Sequence, residues 1–139
     1  MRFMRKAMIG AAGLTLALGV ATPANATEWE GIIYKNVAGC HANMRVQDFD
    51  SSETYQARGE FFADDSVPLG SVCHFWLERR TLSGGYVYKQ VSGTHHLKRG
   101  DQWSYTYFYY DGPGYRIHAC VQRTNQYGQE TALGCGDEY

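Results

Sequence analysis

Val72-Cys73-His74-Phe75-Trp76-Leu77-Glu78-Arg79-Arg80 alternates with a period of two, and that period decides the fold class. Cys73, Phe75 and Leu77 share one face of an extended strand, while His74, Trp76 and Glu78 share the other. One side suits a core and the other suits water, as expected of a half-buried β-strand.

The same period recurs along the chain. Cys40 to Asp48 sets Cys40, Ala42, Met44 and Val46 against His41, Asn43, Arg45 and Gln47. Tyr55 to Phe62 sets Tyr55, Ala57, Gly59 and Phe61 against Gln56, Arg58 and Glu60. Gln102 to Tyr110 has the clearest alternation, with Trp103, Tyr105, Tyr107 and Tyr109 on one face and Gln102, Ser104 and Thr106 on the other. Tyr115 to Val121 places Tyr115, Ile117, Ala119 and Val121 opposite Arg116, His118 and Cys120. Tyr86 to Val91 and Glu130 to Cys135 complete the set, and His95-His96 precedes a strand. Turns are marked by Asp50-Ser51-Ser52, Asp64-Asp65-Ser66-Val67-Pro68, Ser83-Gly84-Gly85, Arg99-Gly100-Asp101 and Asp111-Gly112-Pro113-Gly114.

No helix-period stretch of useful length follows residue 26. About seven short strands at roughly 8–12-residue spacing predict an all-β, antiparallel β-sandwich, with a closed barrel as the competing architecture. No internal repeat or long linker divides the chain, so residues 27–139 are read as one domain.

Residues 1–26 read as a secretory signal peptide. Arg2, Arg5 and Lys6 precede the apolar run Ala7–Val20, and Pro23 leads into Ala24-Asn25-Ala26, a small-x-small cleavage pattern. The apolar run falls short of the roughly 20 residues a membrane helix needs. A mature chain starting at Thr27 is therefore expected to be secreted and extracellular, with no membrane attachment after cleavage. The whole chain carries 13 Lys+Arg against 14 Asp+Glu, a net of −1. Losing three cations with the signal brings that to −4. Arg79-Arg80 and Lys98-Arg99 are isolated pairs, so a nucleic-acid partner is not expected.

All four cysteines, Cys40, Cys73, Cys120 and Cys135, follow the cleavage point, in a chain bound for an oxidising space. Cys40 and Cys73 lie in register with apolar residues and are expected to meet in the core. Cys120 shares its face with Arg116 and His118, so it is expected to point outward and reach only a neighbouring strand, which contains Cys135. The pairing Cys40–Cys73 and Cys120–Cys135 follows, the second bridge being the more exposed. A metal site is not expected, because close CxxC pairs are missing.

The stretch Leu97-Lys98-Arg99-Gly100-Asp101-Gln102-Trp103, the stretch Tyr115-Arg116-Ile117-His118-Ala119-Cys120-Val121 and the cysteine layout carry a resemblance across most of residues 38–139. The chain resembles small secreted actinobacterial proteins of uncharacterised role with an immunoglobulin-like β-sandwich. That resemblance implies a fold and a secreted life, and it carries over no active site. In antibody-type domains both core cysteines face inward, whereas Cys120 here falls on the polar face. The chain is also similar to secreted α-amylase inhibitors of the tendamistat type in size, cysteine count and tyrosine content, but it lacks their Trp-Arg-Tyr tripeptide.

Catalytic patterns are sparse. The chain has no HExxH and no G-x-S-x-G, and Ser71, Ser83, Ser92 and Ser104 lack a local His/Asp signature. Glu28, Glu30 and Asp64-Asp65 read as solvated charges. His41 and His74 each follow a cysteine. They become neighbours if their strands share a sheet and lie on opposite sides if the sheets differ. The histidines are otherwise expected to be exposed on the sheets. Most aromatics fall on the inward register, leaving Trp76, Phe108 and Tyr110 outward, with His74 beside Trp76. These four are the candidate ligand-binding residues. The expected function is a non-catalytic extracellular binding module for a protein or polysaccharide, without cofactor. A proteinaceous hydrolase inhibitor and a small hydrolase are the alternatives.

Overall fold

A computed structural model describes residues 27–49 and 54–139, so the expected signal peptide over residues 1–26 and the expected turn at Asp50-Ser51-Ser52 lie outside the described residues. Among the described residues there are no helices. The strands, in chain order, are β1 (Thr27–Ile33), β2 (Asn36–Val37), β3 (Cys40–Phe49), β4 (Thr54–Ala63), β5 (Val72–Thr81), β6 (Lys89–Gln90), β7 (His95–Leu97), β8 (Ser104–Tyr105), β9 (Tyr109–Tyr110), β10 (Tyr115–Thr124) and β11 (Glu130–Cys135).

They form two antiparallel sheets, a β-sandwich. A six-stranded sheet has the order β1-β3-β4-β8, with β2 also on β3 and β9 also on β4. A five-stranded sheet has the order β11-β10-β5-β6, with β7 also on β5. The four long strands β3, β4, β5 and β10 follow the period-two reading. Their inward rows, Ala42, Met44 and Val46, Ala57 and Phe61, Phe75 and Leu77, and Ile117, Ala119 and Val121, are all buried in one core. Phe61 of one sheet stacks on Phe75 of the other at 4.9 Å between ring centroids, tying the layers at their middle. Gly59 serves this contact directly, because a Cβ there would collide with the Phe61 ring. Gly39 has φ +86° in the turn between β2 and β3, where its N–H donates to Asn36 Oδ1 at 3.1 Å.

Both disulfides pair as the strand faces predict. Cys40–Cys73 joins β3 to β5 across the core, with Cα atoms 5.7 Å apart. Cys120–Cys135 joins directly opposed residues of β10 and β11 within one sheet. The second bridge is the more exposed, as expected, but only through the half-buried Cys135, since Cys120, like Cys40 and Cys73, is 0% exposed. Cys120 does lie on the outer face, but its cross-strand partner on β5 is the bulky Trp76.

Several boundaries differ from the sequence reading. Tyr86 to Val91 contributes only Lys89–Gln90, while β1, β2 and β7 were not foreseen as strands. The largest correction concerns Gln102 to Tyr110, which is two short strands on the edge of β4 rather than one. Tyr105 pairs with Glu60, and Tyr110 pairs with Gln56. From Glu60 to Gln56 is four steps and from Tyr105 to Tyr110 is five, so one residue is inserted and the side-chain parity switches between β8 and β9. Trp103 and Tyr105 therefore face outward, Thr106 is buried and Tyr109 packs on the core. The inward assignment of Trp103, Tyr105 and Tyr107 is reversed, at 46%, 52% and 86% exposed.

Candidate functional site

The inserted residue builds an aromatic outer face on the six-stranded sheet. β3 and β4 pair so that His41 opposes Phe62, Asn43 opposes Glu60 and Arg45 opposes Arg58, all on the polar register. β8 then sets Tyr105 beside Glu60. His41 and Phe62 stack at 4.1 Å and 7° between planes, and Phe62 and Trp103 stack at 4.2 Å and 28°. Tyr105 lies nearly parallel to Trp103 at 6.4 Å. The Arg58 guanidinium sits 5.3 Å from the Tyr105 centroid and 5.0 Å from that of Phe108, in cation–π range of both.

Glu60 organises the charges under this row. It accepts from Arg45 Nε at 2.6 Å and from Arg58 Nη2 at 2.8 Å, and its side chain is nearly buried. Burial pushes the Glu60 carboxyl up, but the hydrogen bonds and charges of Arg45 and Arg58 outweigh it and hold the carboxyl below the usual range. At the end of the row Asp64 Oδ2 meets His41 Nε2 at 2.7 Å. Hydrogen bonds from Ser66 and then from His41 lower the Asp64 carboxyl to about 2. The rings are thus held in place from below by ionic hydrogen bonds and laterally by one another.

The four sequence-predicted ligand residues are split between the two outer faces. Phe108 and Tyr110 belong to the aromatic face, and Tyr110 is exposed. Trp76 and His74 lie on the outer face of the five-stranded sheet. Trp76 is half-buried rather than exposed, and its indole N–H donates to Glu78 Oε1 at 2.7 Å. Glu78 also meets His118 Nε2 at 3.1 Å through its other oxygen, and Tyr88 stacks on that imidazole at 4.0 Å. His118 is buried, against the expectation of exposed histidines. Phe62, Trp103 and Tyr105 were missed. Phe62 closes an alternation that already places it outward, whereas the parity switch at Thr106 leaves no Gly or Pro signal.

His74 forms a pair with His96, Nδ1 to Nδ1 at 2.7 Å, and meets Thr124 Oγ1 through Nε2 at 2.9 Å. Burial, then the neighbouring His96, lowers the His74 pKa. With Trp76, Gln90, Thr94 and Gln122 these two histidines line a shallow groove of about 420 Å³. His41 and His74 lie on opposite outer faces, because Cys40 and Cys73 belong to different sheets. His95 turns the other way from His96, meeting Ser104 Oγ at 2.6 Å and the edge of Phe61. Among the described residues no carboxylate hydrogen-bonds His95, so this serine–histidine contact lacks the acid of a triad. Glu78, His118, Cys120 and Cys135 present donor atoms within 4.8 Å of one another. Both sulfurs are spent in the disulfide, which removes the thiolates a metal would need.

Comparison with known proteins finds no family model, no curated sequence and no solved structure that matches this chain.

Proposed function

We propose that this chain is a secreted, non-catalytic module that binds an extracellular protein through the outer face of its six-stranded sheet. The observation that carries the reading is the braced row His41–Phe62–Trp103–Tyr105 with Arg58 beside it. Trp, Tyr and Arg are the residue types that dominate protein interface energies. Rings already locked by their neighbours lose little freedom on binding, so more of the contact energy is realised as affinity. A protein is favoured over a polysaccharide because the His41, Phe62 and Trp103 ring faces are largely spent on each other, whereas sugar stacking needs a free face. Inhibition of an extracellular hydrolase would be one form of such binding.

Secretion belongs to the same proposal. Two disulfides are compatible with it, and among the described residues no helix is long and apolar enough to cross a membrane. The immunoglobulin-like subclass of the sandwich is likewise kept as part of the reading. The test uses the mature protein as bait in culture medium, alongside insoluble polysaccharides and a hydrolase inhibition panel. A protein retained by wild type and lost with Trp103→Ala supports the proposal. Retention on polysaccharide alone, or turnover of a substrate, would replace it.

A further inference from the structure

β7 and β10 flank β5 in the five-stranded sheet, and on its outer face they set His96, His74 and Gln122 in a row, each directly opposite the next. The two imidazoles meet Nδ1 to Nδ1 at 2.7 Å, with their ring planes 80° apart. This contact is exposed to solvent and lies in the groove of about 420 Å³ that Trp76, Gln90 and Thr94 complete. The other three histidines are engaged elsewhere: His41 meets Asp64, His118 meets Glu78 and His95 meets Ser104. Among the described residues, His74 and His96 are thus the pair that brings two ring nitrogens together at the surface.

Two neutral imidazoles hold one proton each. With the His74 proton on Nε2, donated to Thr124 Oγ1 at 2.9 Å, His74 Nδ1 carries a lone pair and accepts the proton of His96 Nδ1. Moving that proton to His96 Nε2 leaves two lone pairs converging on one point. A zinc ion at about 2.0–2.1 Å from each nitrogen, with an N–metal–N angle of about 90–109°, would hold them about 2.9–3.4 Å apart. The present separation of 2.7 Å needs to open by only a few tenths of an ångström, and the exposed His96 has room to give way. Thr124 meanwhile fixes the tautomer and the ring plane of His74, as the hydrogen-bond partners of metal-bound histidines generally do. No lysine or arginine lines the groove to repel a cation, and water or the side-chain oxygens of Gln122 and Thr94 are at hand for the remaining positions.

We propose that His74 and His96 form a surface site for a divalent transition-metal ion of the imidazole-preferring kind, zinc or copper, bound through the two Nδ1 atoms. The site lies on the opposite outer face from the aromatic row and does not depend on it. The test titrates the mature protein with zinc chloride, with magnesium chloride as the oxygen-preferring control, and follows the ring nitrogens of all five histidines by NMR. Zinc is expected to move the Nδ1 signals of His74 and His96 together and saturably, leaving His41, His95 and His118 in place, while magnesium moves none. His96→Ala, a change at an exposed position, should weaken zinc binding more than about tenfold, as should His74→Ala, whereas His41→Ala should bind as wild type does. Backbone spectra unchanged away from the groove show that each variant is folded. No zinc response at the two rings, a response centred on another histidine, an equal response to magnesium, or zinc binding that survives His96→Ala would overturn the proposal.

Discussion

Gly59 donates its backbone N–H to the Thr106 hydroxyl at 2.9 Å, and the Gly59 carbonyl accepts the Thr106 N–H at 3.0 Å. This double clasp holds the inserted residue of the β8–β9 edge against β4, and so fixes which aromatics face the solvent. Parity along the edge depends on it: with Thr106 turned in, Trp103 and Tyr105 turn out, and Phe108 and Tyr110 follow on the same side.

Thr106→Val keeps the shape of the side chain but orphans the Gly59 N–H. The expected cost is about 1–3 kcal/mol, the penalty for a buried donor left without a partner. Chemical denaturation measures it. A variant as stable as wild type would show that the clasp does not hold the edge.

Asp111 gives a pH dependence of defined sign. Burial pushes its carboxyl up to about 7, against the lowering pull of Arg116 and Arg79. In the unfolded chain it returns to 3.8. Between these values the folded state holds a proton that the unfolded state releases, so this group's contribution to stability is full below 3.8 and is lost as pH rises to about 7. Asp111→Asn should therefore stabilise on the order of 2–4 kcal/mol at about pH 8 and hardly at all at about pH 4. Equal gains at both pH values would contradict the assignment.

The two bridges should differ in worth. Cys40–Cys73 closes a separation of 33 residues across the core, and Cys120–Cys135 one of 15 within a sheet. Loop-closure entropy alone favours the longer by less than about 1 kcal/mol. Replacing Cys40 and Cys73 with alanine also opens a void between the sheets, so that pair should cost about 1 kcal/mol more than the Cys120/Cys135 double variant. Denaturant midpoints of the two double variants decide it, and a costlier loss at Cys120/Cys135 would reverse the ranking.

Trp76→Ala should behave as a structural variant. Trp76 stands directly opposite the buried Cys120 on the neighbouring strand, is half-buried and donates to Glu78, so its removal should cost about 2–3 kcal/mol, below the full core value. Thermal or denaturant melts test this. An unaltered midpoint would return Trp76 to the list of ligand residues.

Much of this was legible in the sequence because the four long strands carry one strong signal. Through the middle of β3, β4, β5 and β10 the inward positions are apolar, glycine or cysteine, so the faces, the core and both cysteine pairings could be read from alternation, even though Arg79 and Arg123 continue the inward register at the strand ends. The edge of β4 could not. A single inserted residue reverses the parity of every side chain beyond it, and Thr106 looks like any other strand residue. Trp103 and Tyr105 were consequently placed in the core, while Trp76, outward in register as read, proved to be packed against its own sheet. Cys120 taught the same lesson: register predicts the side of a sheet, but the bulk of the cross-strand neighbour decides whether that side is covered.

The central claim is that the outer face of the six-stranded sheet is the binding face, and one comparison tests it most directly. Wild type, Trp103→Ala and Trp76→Ala, each shown to be folded, are immobilised in equal amounts, and the protein each retains from culture medium is quantified. Loss of an interface anchor worth about 2 kcal/mol should cut retention by Trp103→Ala more than tenfold while Trp76→Ala retains the wild-type amount. Equal retention by Trp103→Ala and wild type, or a loss confined to Trp76→Ala, would contradict the account.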